Sequence, residues 1–129
     1  MIRRPLNERF AEAVLEGRKI TTIRDNPWPI GKPIMLFRWS GKPYRSKQVE
    51  IAAVVVEFIQ CIDIHLSDFS DWVIFSQAMI GERPLWSCEG FNGPMDMNDW
   101  FVAKMKPNTT VTKSIMRFRL ATEQERAGA

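Results

Sequence analysis

The sequence predicts a single small α+β domain whose sheet is mostly antiparallel. Three observations carry this. The chain has 129 residues, the size of one domain. Hydrophobic residues make up 45% and charged residues 26%, enough apolar material for a core that needs no disulfide support. Helical patterns flank several strand-like runs, and no repeated strand–helix unit is present to build a parallel sheet. The domain is expected to occupy residues 1–121, with residues 122–129 as a polar tail.

Asn7 can cap a helix over residues 7–16, with Glu8 in its first turn, Leu6, Phe10, Ala13 and Val14 on one side, and Gly17 as a stop. The β-branched run over residues 20–24 reads as a strand, broken by Asp25-Asn26-Pro27-Trp28-Pro29. Residues 33–39 read as a second strand, 40–43 as a turn, and 48–62 as a long strand with room for a bend or bulge. Between Ser67 and Ile80 the spacing of Phe69, Trp72, Val73, Phe75 and Met79 suits helix or irregular packing, and the segment is a candidate lid. Gly81 to Pro94 is broken by glycine and proline. Beyond it, Asp96 is expected to cap a helix containing Trp100, Phe101 and Met105. Residues 111–121 read as a last strand with an apolar side in its second half. Trp39, Trp72 and Trp100 are assigned to the core or its edge.

The composition excludes several chemistries. His65 is the single histidine and Cys61 and Cys88 are the two cysteines, without CxxC spacing. A two-histidine or four-thiolate zinc site and a His–His ribonuclease are therefore ruled out. Ile64-His65-Leu66-Ser67 also lacks the pattern of zinc nucleobase deaminases, and His65 reads as a strand-end or surface histidine. No P-loop and no GxGxxG is present. No metal and no cofactor is expected.

The apolar stretch over residues 51–59 is interrupted by Glu57 and is too short to span a bilayer, so it is expected to be a buried strand and no membrane partner is expected. No signal-like apolar run follows Met1-Ile2-Arg3-Arg4-Pro5, and the expected location is cytoplasmic. Net charge is +3, and basic side chains outnumber acidic ones in residues 1–50, the half an anionic or nucleotide-like partner would approach.

One segment concentrates chemistry. Gly17-Arg18-Lys19-Ile20-Thr21-Thr22-Ile23-Arg24 places cations and hydroxyls at a helix-to-strand junction. On an extended chain Thr22 and Arg24 share a face and Lys19 points to the other, so Lys19 meets Thr22 only if the chain turns at or before Ile20. A lysine near Arg18 and Arg24, and partly buried, loses basicity and becomes a competent base. The same pattern also suits a solvated basic turn followed by strand threonines.

That segment, continued by Asp25, preceded by a short helix and followed by a proline-rich turn, Gly31 and the apolar run over residues 34–37, resembles the signature of ASCH domains of the PUA-like superfamily. The resemblance covers about residues 10–59. It implies a small PUA-like β-barrel with flanking helices, a cleft beside the Gly-x-Lys segment, and nucleoside or RNA ligands. Small bacterial members similar to this chain are N4-acetylcytidine amidohydrolases with a threonine nucleophile, a lysine proton acceptor and a glutamate proton donor. Carried over by position, the nucleophile is Thr22 and the base Lys19. The acid falls best on Glu89, in Cys88-Glu89-Gly90-Phe91, with Glu82 and Asp96 as rivals. Ile20 departs from the threonine that often follows the lysine in similar chains.

Amide hydrolysis needs a nucleophile, an acceptor for its proton, a donor to the leaving amine and a holder for the oxyanion. A Thr–Lys–Glu set supplies the first three, and Arg24 or backbone N–H groups are candidates for the fourth. Trp28 and Trp86 are candidates to stack a pyrimidine, although packing against the barrel wall is the leading account of Trp28 and still more so of Trp86. With Lys19 as base, the rate is expected to rise with pH through the neutral and mildly alkaline range. The alternatives are an RNA-binding module without catalysis, and a ribonuclease, which some ASCH-like proteins resemble.

Overall fold

A computed structural model describes residues 1–67, 72–75 and 83–128. The strands are β1 (Ile2–Pro5), β2 (Thr21–Arg24), β3 (Pro33–Trp39), β4 (Gln48–Leu66), β5 (Val73–Phe75) and β6 (Thr109–Leu120). The helices are α1 (Ala11–Leu15), α2 (Leu85–Cys88), α3 (Pro94–Val102) and α4 (Glu123–Ala127).

The strands form one sheet in the order β1-β3-β4-β6-β2, with β5 also on β4. Only the β1–β3 pair is parallel among these, so the α+β class with a mostly antiparallel sheet is what the chain adopts. The path is open rather than closed: β1 and β2 are its two edges. β4 is the spine, pairing with β3 through its first half and with β6 through its second. Register shifts at Leu36/Phe37 and Val56/Phe58 bend it, as bulges do. Ala53, Val54, Val55 and Val56 are all buried, so this part of the spine is covered on both faces and needs a continuous apolar run.

Several expectations require correction. β1 lies outside the expected elements; Arg3 and Pro5 are its exposed positions, and Pro5 is tolerated because an edge strand has no ladder partner on one side. The region expected to be helical or irregular contains β5, antiparallel to Ile64–Leu66, while the rest of the candidate lid lies outside the described residues. Asp96 does not cap the later helix: Pro94 opens α3, Asp96 lies in its first turn, and Met105 falls beyond its end. In β6 the adjacent Ile115 and Met116 are both buried and Leu120 is exposed, so the apolar side is not a simple alternation. The polar tail folds into α4, capped by Thr122 and Glu125 in a reciprocal capping box. Trp72 is exposed rather than core. Among the described residues no helix is long and apolar enough to cross a membrane.

Asn7 does cap the N-terminal turn, accepting from the Arg9 amide at 3.0 Å. That turn is 3-10 over Glu8–Phe10 before it becomes α1. Phe10 and Val14 then point into a core built with Leu36, Val54, Val56, Met116 and Phe118. This packing fixes the end of α1 against the sheet, and with it the start of the basic segment.

Candidate active site

Gly17, at φ +76°, reverses the chain at the end of α1. The amides of Arg18 and Lys19 both donate to the Ala13 carbonyl, at 2.8 and 3.0 Å. Ile20 then locks in on two sides, its amide donating to Cys88 and its carbonyl accepting from Phe118, each at 2.8 Å. The turn is thus complete before Thr21, where β2 begins, and it brings Lys19 Nζ to the main chain of Thr21, while the Thr22 hydroxyl is bonded to Arg24.

Lys19 is 4% exposed. Its Nζ donates to the main-chain carbonyls of Thr21 and Glu89, each at 2.8 Å, and lies 3.9 Å from Glu89 Oε1. It also stands 4.8 Å from the Phe10 ring centroid, a cation–π distance. Burial pushes the Lys19 ammonium below its ordinary value of 10.5; Glu89 opposes this and Arg24 adds to it. Arg18 stays outside, paired with Glu16 at 2.7 Å. Of the two expected arginines, then, Arg24 is the one that acts on Lys19.

Glu89 is 4% exposed and follows directly on α2, its amide donating to Leu85 at 2.9 Å. The Thr21 hydroxyl donates to Glu89 Oε2. Gly90, at φ +90°, lets this corner approach Lys19: a Cβ there would fall 3.1 Å from Lys19 Cβ and 3.2 Å from Phe10 Cδ1. Thr22 is buried, and its Oγ1 accepts from Arg24 Nε at 3.0 Å. Arg24 continues to the Pro5 carbonyl at 3.0 Å, joining the two open edges of the sheet, and its guanidinium lies 4.9 Å from the Trp28 ring centroid.

Lys19, Thr22, Arg24 and Glu89 line one cavity of about 270 Å³. Part of its wall is aromatic. Phe10, Phe91 and Trp100 meet edge to face with centroids 5.2, 5.4 and 5.8 Å apart, and all three line the cavity. Lys104, 4.2 Å from the Trp100 centroid, and Lys113, paired with Asp25, complete a cationic rim.

The two tryptophans expected to bind substrate are elsewhere. Trp28 is 5% exposed in the core, its amide donating to Met116 Sδ, and it does not line this cavity. Trp86 lines a separate, mostly apolar cavity with Trp72, Val73 and Met97. Trp100, assigned to the core or its edge, packs partly buried against the core and is the tryptophan at the cavity. Of the rival acids, Asp96 turns to Arg9 at 2.5 Å and to the Asn92 amide at 2.9 Å, away from the cavity lining. Glu82 lies outside the described residues. Thr21, given no role from sequence, reaches Glu89 with its hydroxyl, a contact with no local signal because its partner lies 68 positions away.

Among the described residues no three His, Cys, Asp or Glu side chains cluster as a metal-holding group. Comparison with protein-family models, with curated proteins and with solved structures gives no match.

Proposed function

We propose that this chain is a cytoplasmic amidohydrolase of the ASCH type, with its sheet a PUA-like barrel left open at β1 and β2, cleaving the N4-acyl amide of acylated cytidine. The observation that carries the reading is the convergence of Lys19, Thr22 and Glu89 on one cavity. Its volume of about 270 Å³, just below the roughly 300–1,000 Å³ typical of small-molecule sites, restricts it to a ligand no larger than a nucleoside.

The tetrahedral Lys19 nitrogen has two directions committed to carbonyls. Its remaining direction carries a proton in the ammonium and a lone pair in the amine. In the amine form it takes the Thr22 proton as Oγ1 attacks the acyl carbon. Arg24, already donating to Oγ1, offsets the developing charge. The carboxyl of Glu89 protonates N4 as the C–N bond breaks, releasing cytidine and leaving an acyl ester on Thr22. Water then attacks this ester, its proton going to the Glu89 carboxylate while Lys19 returns a proton to Oγ1. The products are cytidine and a carboxylic acid, and both groups regain their starting states. The Phe10–Phe91–Trp100 wall offers the pyrimidine an apolar, stackable surface.

Mixing the protein with N4-acetylcytidine tests this: equal formation of cytidine and acetate is expected, and neither product would overturn the reading. The cationic rim of Lys104 and Lys113 favours a second reading, an RNA-binding module. An RNA groove neutralising several phosphates loses affinity steeply between low and moderate salt, whereas an uncharged nucleoside does not. Steep salt dependence for RNA without nucleoside turnover would favour the module.

A further inference from the structure

The hydroxyl of Thr21 is fully buried, donates to Glu89 Oε2 across 68 positions of sequence, and takes no part in the chemistry described above. Its own carbonyl is one of the two that hold Lys19 Nζ, and the other belongs to Glu89. Thr21 is therefore bonded to both members of the proton-transfer pair, through the main chain to one and through the side chain to the other. With Oε2 occupied, Oε1 is the oxygen left on the Lys19 side, at 3.9 Å. A carboxyl free to rotate presents either oxygen, whereas one held by a buried donor presents a fixed one, and such preorganisation is what proton transfer at a defined atom needs.

We infer that Thr21 is a positioning residue: its hydroxyl engages Glu89 Oε2 so that the proton delivered to the leaving nitrogen is carried on Oε1, beside Lys19. The inference rests on the amidohydrolase reading and adds to it a residue that touches no substrate. The charged groups facing this carboxylate are Lys19 and Arg24, and the neighbouring thiol is Cys88. None of them donates a hydrogen bond to Oε2 among the described contacts.

The leaving group separates this role from a structural one. N4-acetylcytidine requires protonation of nitrogen, whereas 4-nitrophenyl acetate expels a stable phenolate and acylates Thr22 without an acid. Thr21→Val keeps the shape of the side chain and removes the hydroxyl; Thr21→Ser keeps the hydroxyl. For Thr21→Val, kcat on N4-acetylcytidine is expected to fall roughly 10- to 100-fold, the weight of a charge-assisted hydrogen bond, with KM unchanged and the rate of the 4-nitrophenolate burst, which reports acylation alone, retained. Thr21→Ser is expected to restore most of kcat, and Thr22→Ala to lose both substrates. An unchanged kcat for Thr21→Val, or an equal loss on both substrates that Thr21→Ser does not rescue, would overturn the inference while leaving the amidohydrolase reading intact. A wild-type protein that releases no cytidine would instead remove the reading beneath it.

Discussion

Lys19 Nζ donates to the main-chain carbonyl of Glu89, 70 positions further along the chain, at 2.8 Å. Because the acceptor is backbone rather than carboxylate, the contact survives any change in Glu89 protonation. It ties Lys19 to the α2 corner while leaving the carboxylate available for other bonds.

Replacing Lys19 with arginine keeps the charge and replaces the buried amine with a guanidinium that does not deprotonate in this range. Lys19→Arg is expected to lower kcat by about 10²–10⁴, the usual weight of a general base. Steady-state kinetics at saturating N4-acetylcytidine check this, and near-wild-type turnover would reduce Lys19 to a charge holder.

The pH profile should follow the amine that accepts the Thr22 proton. Burial, and then Arg24, hold Lys19 below the ordinary lysine value of 10.5 against the opposing Glu89. The amine fraction grows as pH approaches the lowered value, so kcat/KM is expected to rise with pH over a range below 10.5. In Glu89→Gln the upward pull on Lys19 disappears, and the rise in the small residual activity should move to lower pH. A rise over the same range in both proteins would separate the Glu89 charge from Lys19.

The same shift has a stability consequence. Lys19 has a lower pKa folded than unfolded, so between those two values the unfolded chain binds more protons. Stability from this group therefore rises with pH through that window, and below it the burial of the ammonium is fully felt. Relative to wild type, Lys19→Met is expected to lose stability as pH rises through that window towards 10.5, on top of a constant cost for the two carbonyls left without a donor. Denaturant midpoints measured at several pH values decide the sign.

Gly90→Ala puts a Cβ against Lys19 and Phe10 at a backbone conformation that costs an L-residue about 1–2 kcal/mol. A lowered Tm together with a disproportionate loss of kcat is expected. Loss of Tm alone would mean the corner does not position Lys19.

Trp100→Leu should raise KM by roughly 5- to 150-fold if stacking contributes about 1–3 kcal/mol, whereas Trp86→Leu should leave it unchanged. The reverse order would move the binding wall to the cavity beside β5.

Asp96 offers a structural contrast to Glu89. Its hydrogen bond from Arg9, aided by the Asn92 amide, holds its carboxyl below the ordinary 3.8. The stabilisation is complete above that value and is lost as pH falls through the depressed one. Asp96→Ala is expected to cost roughly 0.2–1 kcal/mol at neutral pH, read from urea midpoints, and to leave kcat unchanged; a collapse of kcat would make Asp96 the acid.

The amino-acid sequence by itself determined the elements whose causes are local. Asn7 and Gly17 bracket the first helical turn, β3 follows a β-branched and aromatic run between turn residues, and the Lys19–Thr22 spacing is a property of four consecutive positions. It could not determine what depends on distant partners. β1 exists because β3 offers it an edge, and β5 because β4 runs on to Leu66. Trp100 reaches the cavity while Trp28 is buried because α3 packs over Phe10 and Phe91, a choice no local pattern encodes. Thr21 and Thr22 are alike in sequence, and only the pleat of β2 against β6 sends one hydroxyl to Glu89 and the other to Arg24. Adjacent strand residues face opposite ways, and which face meets α2 is settled by tertiary packing.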